Sequence, residues 1–165
     1  MLSLPYLKSI FFRTVTDEHE NTVTVPEIDG LTNPDWLMEC RAGMDGAIAL
    51  IQKKNVPVAV VLEHAEAGTL SLRNSGGFNQ ATQSLWVMEM VPYDGSAPDV
   101  MDRCLERVFR IYTIFVKHHE DAQLRTWLET NEVNYYAREA GSYVGWEMTV
   151  HFSENRNLSY VQPHS

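Results

Sequence analysis

Apolar residues recur at helical spacing in three segments of the chain. The segment Ser3–Thr16 predicts a short amphipathic helix, although its last residues also suit a strand. A second helix is predicted to begin after the N-cap Asn33 and to continue to Lys54. The third and most regular helix runs from Pro98 to His119. Its apolar stripe consists of Met101, Leu105, Val108, Tyr112 and Phe115.

Between the helices the pattern changes to that of β-strands. Thr22–Val25 is β-branched and ends at Pro26, which is typical of a short edge strand. Val56–Glu63 is a near-continuous apolar run, as expected of a buried strand. Gly68–Leu72 and Gln83–Val91 predict two further strands, and the glycine-containing segment Asn74–Gln80 predicts a loop or a ragged strand.

The C-terminal part predicts one more pair of strands. Glu132–Ala140 and Gly145–Phe152 are joined by a short segment with glycine at both ends, which indicates a hairpin. Before this pair, Gln123–Thr130 could form one or two helical turns. Residues 154–165 are mostly polar and are predicted to form a loose C-terminal tail.

The resulting order, α-(β)-α-β-β-β-α-β-β, predicts an α+β fold. Helices do not alternate strictly with strands, so we expect a single antiparallel sheet with the helices packed on one face. A length of 165 residues is typical of one domain, and residues 1–165 are predicted to form one.

The charge balance limits the possible partners. The chain has 13 basic and 22 acidic residues, a net charge of −9, which argues against nucleic acid as the main partner. Arg103, Arg107, Arg110 and Lys117 lie in one predicted helix, and we interpret them as an ordinary solvated face. No apolar run is long enough for a membrane span, and the N-terminal segment lacks the pattern of a signal peptide. The expected location is therefore the cytoplasm or a virion.

Motifs that would carry chemistry are missing from the sequence. There is no glycine-rich nucleotide loop, zinc-protease motif, calcium loop or nucleophile elbow. Cys40 and Cys104 lack the spacing of metal ligands and are predicted to be buried free thiols. His118 and His119 are adjacent at the C-terminal end of a predicted helix, where the helix dipole favours histidine. We prefer this interpretation to a metal ion bound by both side chains. We therefore predict a protein that is not an enzyme and that has no cofactor or metal.

Four polar residues form the best candidate for a pocket. Glu63 and His64 end one predicted strand, Glu89 lies in another, and His151 lies on the polar face of the last strand. If these strands were neighbours, the side chains could converge as metal ligands or as a base and its orienting partner. The alternative interpretation is that they are polar residues at the rim of a sheet.

The element order resembles that of the tail-completion and tail-terminator proteins of tailed phages. The similar parts are the N-terminal helical portion, the strands between Val56 and Val91, the helix Pro98–His119 and the closing strand Gly145–Phe152. The hairpin strand Glu132–Ala140 is a departure from that order. The resemblance implies a subunit that oligomerises through sheet edges, with Leu72–Thr82 and Asp17–Asn33 as contact elements.

Three functions remain open from the sequence. The first is a non-enzymatic structural or assembly subunit that binds itself or another protein, and the second is a small-molecule-binding or enzymatic domain with a pocket between helices and sheet. The third is an adaptor of another protein. Aromatic residues at strands and loop edges suit either a core or a protein interface. They are Trp86, Tyr93, Tyr135, Tyr136, Tyr143 and Trp146.

Overall fold

The centre of the structure is a long antiparallel ribbon formed by β6 (Gly76–Met90) and β9 (Tyr143–Arg156). Its register runs from Gly77 opposite Arg156 to Met90 opposite Tyr143. The computed structural model describes residues 2–41, 43–64, 68–73, 76–119, 127–128 and 133–156. Side chains alternate between the two faces of the ribbon, so each strand contributes to two separate layers.

Shorter strands extend this ribbon on both sides. On the β6 side lie β4 (Val58–Glu63) and β5 (Gly68–Arg73), which pair with different halves of β6. On the β9 side lie β7 (Trp127–Leu128) and β8 (Asn134–Ala140). A final strand, β3 (Leu37–Cys40), runs parallel to β4. The main sheet is therefore mixed.

A second, two-stranded sheet lies near the N-terminus. It is an antiparallel hairpin of β1 (Phe12–Thr16) and β2 (Thr22–Pro26), and most of its residues are exposed. The Asp17 carboxylate closes the turn by accepting the backbone N–H groups of His19 and Asn21, each at 2.8 Å. The predicted strand Thr22–Val25 is confirmed.

Helices cover both faces of the main sheet. One face carries α1 (Leu4–Phe11) and α3 (Ala97–His118), and the other carries α2 (Gly43–Lys54). The larger core includes Phe11, Leu85, Ile111, Phe115 and Met148. The smaller core includes Met38, Ala47, Ile51, Trp86 and Met88. Trp86 and Leu85 are neighbours in the chain but lie on opposite faces, as the alternation in β6 predicts.

The predicted helix from Asn33 to Lys54 is wrong in its first half. Asn33 does act as an N-cap, accepting the Asp35 backbone N–H at 2.9 Å, but it caps only the 3-10 turn Pro34–Trp36. Leu37–Cys40 then becomes β3, because Leu37 packs into the larger core while Met38 and Cys40 pack into the smaller one. Hydrogen bonding to the buried β4 supports this extended backbone.

Other predicted features of the fold are confirmed in part. The α+β class is confirmed, but there are two sheets, β3 is parallel, and the helices do not all lie on one face. Residues 76–80 belong to β6, which supports a strand rather than a loop there. The last hairpin has a turn of two residues, Gly141 and Ser142.

Some predicted features lie partly outside the described residues. Trp127–Leu128 is a short strand instead of a helical turn, and residues 123–126 and 129–130 are not among those described. β9 continues to Arg156, three residues into the predicted tail, and residues 157–165 are outside the described part.

Candidate functional site

Glu63 and His151 share one face of the main sheet but do not meet. The Glu63 carboxylate accepts the Trp86 indole N–H at 3.1 Å, and His151 Nδ1 lies 3.2 Å from the Thr82 hydroxyl oxygen. The strand β6 separates them, because β4 and β9 pair with its opposite edges. Strands lie about 4.8 Å apart, so roughly 10 Å separates the two backbones.

His64 and Glu89 lie on the opposite face and also belong to different groups. His64 Nε2 is 3.2 Å from the Glu39 carboxylate at the end of β3. Glu89 lies near the other end of the sheet, beside α3. The structure therefore does not bring Glu63, His64, Glu89 and His151 together into one pocket.

Glu89 instead belongs to an ion-pair cluster with Arg107, which is buried, and Arg103, which is exposed. Arg107 is 5% exposed and lies 2.5 Å from the Glu89 carboxylate, and its Nε donates to the Asp29 carbonyl at 2.6 Å. Arg103 approaches the same carboxylate at 2.7 Å. Burial raises the pKa of Glu89, but the hydrogen bonds and charges of the two arginines outweigh it and hold the pKa below its usual value. The interpretation of these arginines as a solvated face is therefore wrong for Arg107.

The two cysteines are buried and do not form a disulfide, as predicted. Cys40 packs in the smaller core and Cys104 in the larger one, so the sheet separates them. Burial raises the pKa of Cys104 to about 11, which keeps it protonated and unreactive at neutral pH. Among the described residues, no group of three or more His, Cys, Asp or Glu side chains is placed to hold a metal ion.

The outer edge of β8 is an unpaired strand edge within the described part of the chain. β8 pairs with β9 on one side, and no described strand pairs with its other side. The turn between β8 and β9 has two residues and begins at Gly141, which adopts φ +60°. In a hairpin with such a turn, the pair of residues next to the turn is hydrogen-bonded, and here that pair is Ala140 and Tyr143. Residues bonded to β9 alternate along β8 with residues whose backbone groups point away from it, here Tyr135, Ala137 and Glu139. Of these groups, the Ala137 carbonyl accepts the Arg138 guanidinium N–H at 3.2 Å. We call this row of groups the β8 edge.

Aromatic side chains surround the β8 edge on both faces of the sheet. Tyr135 makes edge-to-face contacts with Phe109 of α3 and with Trp146, at ring-centroid distances of 6.1 and 5.5 Å. On the other face, the Arg138 guanidinium lies 5.5 Å from the Tyr136 ring. Phe109, Tyr135 and Tyr136 are 43, 43 and 49% exposed. We call Phe109, Tyr135, Tyr136 and Trp146 the aromatic rim.

A groove rich in basic residues lies between α1, β1 and α3. Its deeper part has a volume of about 280 Å³ and is lined by Arg13, Arg110, Lys117 and His118, with Ile10 and Ile114 among its apolar residues. A shallower depression adjoins it at Ser9, Phe12 and Arg13 and adds Lys8. We call the two together the basic groove.

Glu27 organises the basic groove. Its carboxylate is 2.9 Å from both the Arg13 and the Arg110 guanidinium groups, and Arg110 also donates to its backbone carbonyl at 2.9 Å. The sequence pattern did not reveal this groove because its members come from the N-terminal segment, α1 with the adjoining β1, and from the distant helix α3. The presence of Arg110 and Lys117 seven residues apart in one helix was the only local sign.

Within the described residues, no helix is both long enough and apolar enough to cross a membrane.

Comparison with known proteins does not assign the chain to a family. No protein-family model matches the chain, and a search of curated proteins finds no similar sequence.

Proposed function

We propose that this chain is a non-enzymatic subunit of a protein assembly and that it acts through protein–protein contacts at the β8 edge. The partner is a second copy of the chain, another protein, or both. In line with the resemblance in element order, we propose a phage or prophage tail-related role, with the cytoplasm or the virion as its location.

The β8 edge and the aromatic rim together carry this proposal. An unpaired strand edge offers backbone donors and acceptors that can add a strand from another chain. Exposed tyrosine and phenylalanine side chains beside it supply a large contact area at low conformational-entropy cost. Here the rings flank the edge on both sheet faces, so an added strand would be held on both sides.

The basic groove favours a second candidate function, the binding of a small anionic molecule. A volume of about 280 Å³ is near the lower end of the range for ligand pockets. Its guanidinium, ammonium and hydroxyl groups suit a phosphate or carboxylate. Isothermal titration with inorganic phosphate would detect such binding directly.

Light scattering coupled to size-exclusion chromatography, over roughly a hundredfold range of concentration, tests the assembly proposal. The wild-type protein should form oligomers whose population rises with concentration. Ala137→Pro should weaken association by about tenfold or more, because proline removes an outward-pointing N–H without removing a hydrogen bond to β9.

The matched control is Ala137→Val, which keeps the N–H group at the same position and should associate like the wild type. A wild-type protein that stays monomeric throughout would overturn self-assembly. Equal association of the valine and proline variants would exclude the β8 edge as the contact.

A further inference from the structure

We propose that the acidic turn between β1 and β2 of one copy binds in the basic groove of a second copy. The acidic turn is the segment Asp17–Asn21, in which Glu18, His19 and Glu20 are exposed. This inference rests on the proposed assembly function and adds a second contact, distinct from the β8 edge.

The basic groove carries more positive charge than its own acidic residue neutralises. Of the described residues that line it, the side chains of Lys8, Arg13, Arg110 and Lys117 are cationic and that of Glu27 is a carboxylate, which leaves an excess of three positive charges. Among the described residues, Lys8 and Lys117 make no ion pair. In a chain with a net charge of −9, such a groove attracts an acidic segment.

The acidic turn is built to present its carboxylates outward. Asp17 is used internally, since its side chain accepts the His19 and Asn21 backbone N–H groups at 2.8 Å. That bonding fixes the turn, and Glu20 adopts φ +61° within it. Glu18 and Glu20 are therefore the two carboxylates left for a partner, on an ordered backbone that loses little entropy on binding.

The occupant must come from another molecule because of the hairpin geometry. Arg13 lies near the base of the hairpin, opposite Val25, whereas the acidic turn forms its tip. Arg13 and Asp17 are four residue steps apart along an extended strand, which corresponds to roughly 14 Å. The turn of one copy thus points away from its own groove, and it is complementary in charge to the groove of the next.

A contact between two different surfaces of the same chain is heterologous. Such a contact leaves one free turn and one free groove on each pair of copies, so addition can continue until a ring closes or a filament forms. Because the attraction is between exposed charges, added salt should weaken it.

Charge reversal provides the test, with association measured by light scattering. The turn variant is Glu18→Lys with Glu20→Lys, and the groove variant is Lys8→Glu with Lys117→Glu. Each alone should weaken association by about tenfold or more, because like charges then face each other. An equimolar mixture of the two variants should recover association, and so should a single chain that carries all four substitutions.

Matched controls separate this contact from a general effect of net charge. Asp102→Lys with Glu106→Lys changes the charge as the turn variant does, at exposed positions of α3. Lys53→Glu with Lys54→Glu changes the net charge by the same amount as the groove variant, at exposed positions at the end of α2. Both controls should associate like the wild type, and circular dichroism would verify that every variant is folded.

The possible failures are distinguishable. If the wild type assembles and the turn variant assembles equally well, this inference is wrong while the assembly proposal stands. If the wild type is monomeric, self-assembly itself is wrong. If the groove variant loses affinity for inorganic phosphate while its assembly is unchanged, the groove is a small-anion site and this inference is overturned.

Discussion

Gly145→Ala should destabilise the protein by about 3–5 kcal/mol, an effect at the upper end for single substitutions. Gly145 lies in β9 opposite Met88, and a Cβ atom there would collide with the Val87 carbonyl oxygen and approach the Met88 Cα to 2.9 Å. Both are backbone atoms of the central ribbon, so no side-chain rotation can relieve the contact. The free energy of unfolding measured in urea would show the loss.

Gly141→Ala is the control for this prediction. Among the described residues, a Cβ at Gly141 would approach only the Gln52 side-chain amide, at 3.1 Å, and the cost comes mainly from the positive φ of 60°. We expect about 1 kcal/mol for that substitution. If the two glycine variants had equal stability, the close approach of β6 and β9 at Gly145 would be contradicted.

Glu89→Gln should destabilise the protein by about 3 kcal/mol, because it leaves Arg107 buried without its counter-charge. The matched control is Arg103→Gln. The Arg103 side chain is 48% exposed, so the loss of its ion pair with Glu89 should lower the free energy of unfolding by less than about 1 kcal/mol. Replacing both members of the buried pair, as Glu89→Leu with Arg107→Met, should recover much of the loss, since no isolated charge then remains.

The pH dependence of stability follows from the direction of the Glu89 pKa. Burial raises this pKa, but the two arginines lower it by a larger amount, so the native pKa lies below the ordinary glutamate value of 4.5. A carboxyl with a depressed native pKa contributes its stabilisation fully above the unfolded pKa and loses it as the pH falls through the native pKa. Wild-type stability should therefore fall below pH 4.5, and that fall should be smaller in Glu89→Gln. Identical pH profiles would contradict this role for Glu89.

Periodic elements were the predictable part of the fold. The helix α3 and the alternation in β6 and β9 are confirmed, because each element packs against a flat surface. Of the predicted α3 stripe, Val108 and Phe115 are buried, and the other three residues are half-buried. Leu37–Cys40 was not predictable in the same way. Leu37, Cys40 and Met44 fit helical spacing by coincidence, and only pairing with β4, later in the chain, makes the segment extended.

Sites that combine distant segments were not predictable from local patterns. The pocket hypothesis required Glu63, His64, Glu89 and His151 to share a face, yet adjacent residues such as Glu63 and His64 necessarily point to opposite faces of a strand. The basic groove joins residues from α1, β1 and α3. Its existence depends on how the N-terminal hairpin lies against α3, which the sequence pattern does not specify.

The main sheet divides the interior into two cores, and the cysteine in each core can be used to measure how often that core opens. Each core contains one cysteine, and the two are not bonded to each other: Cys40 lies in β3, beneath α2, and Cys104 lies on the buried face of α3 itself. A thiol reagent can reach each sulfur only when the layer above it opens. The labelling rates of Cys40 and Cys104 under native conditions, resolved by mass spectrometry, would therefore measure separately how often each helical layer lifts from the sheet.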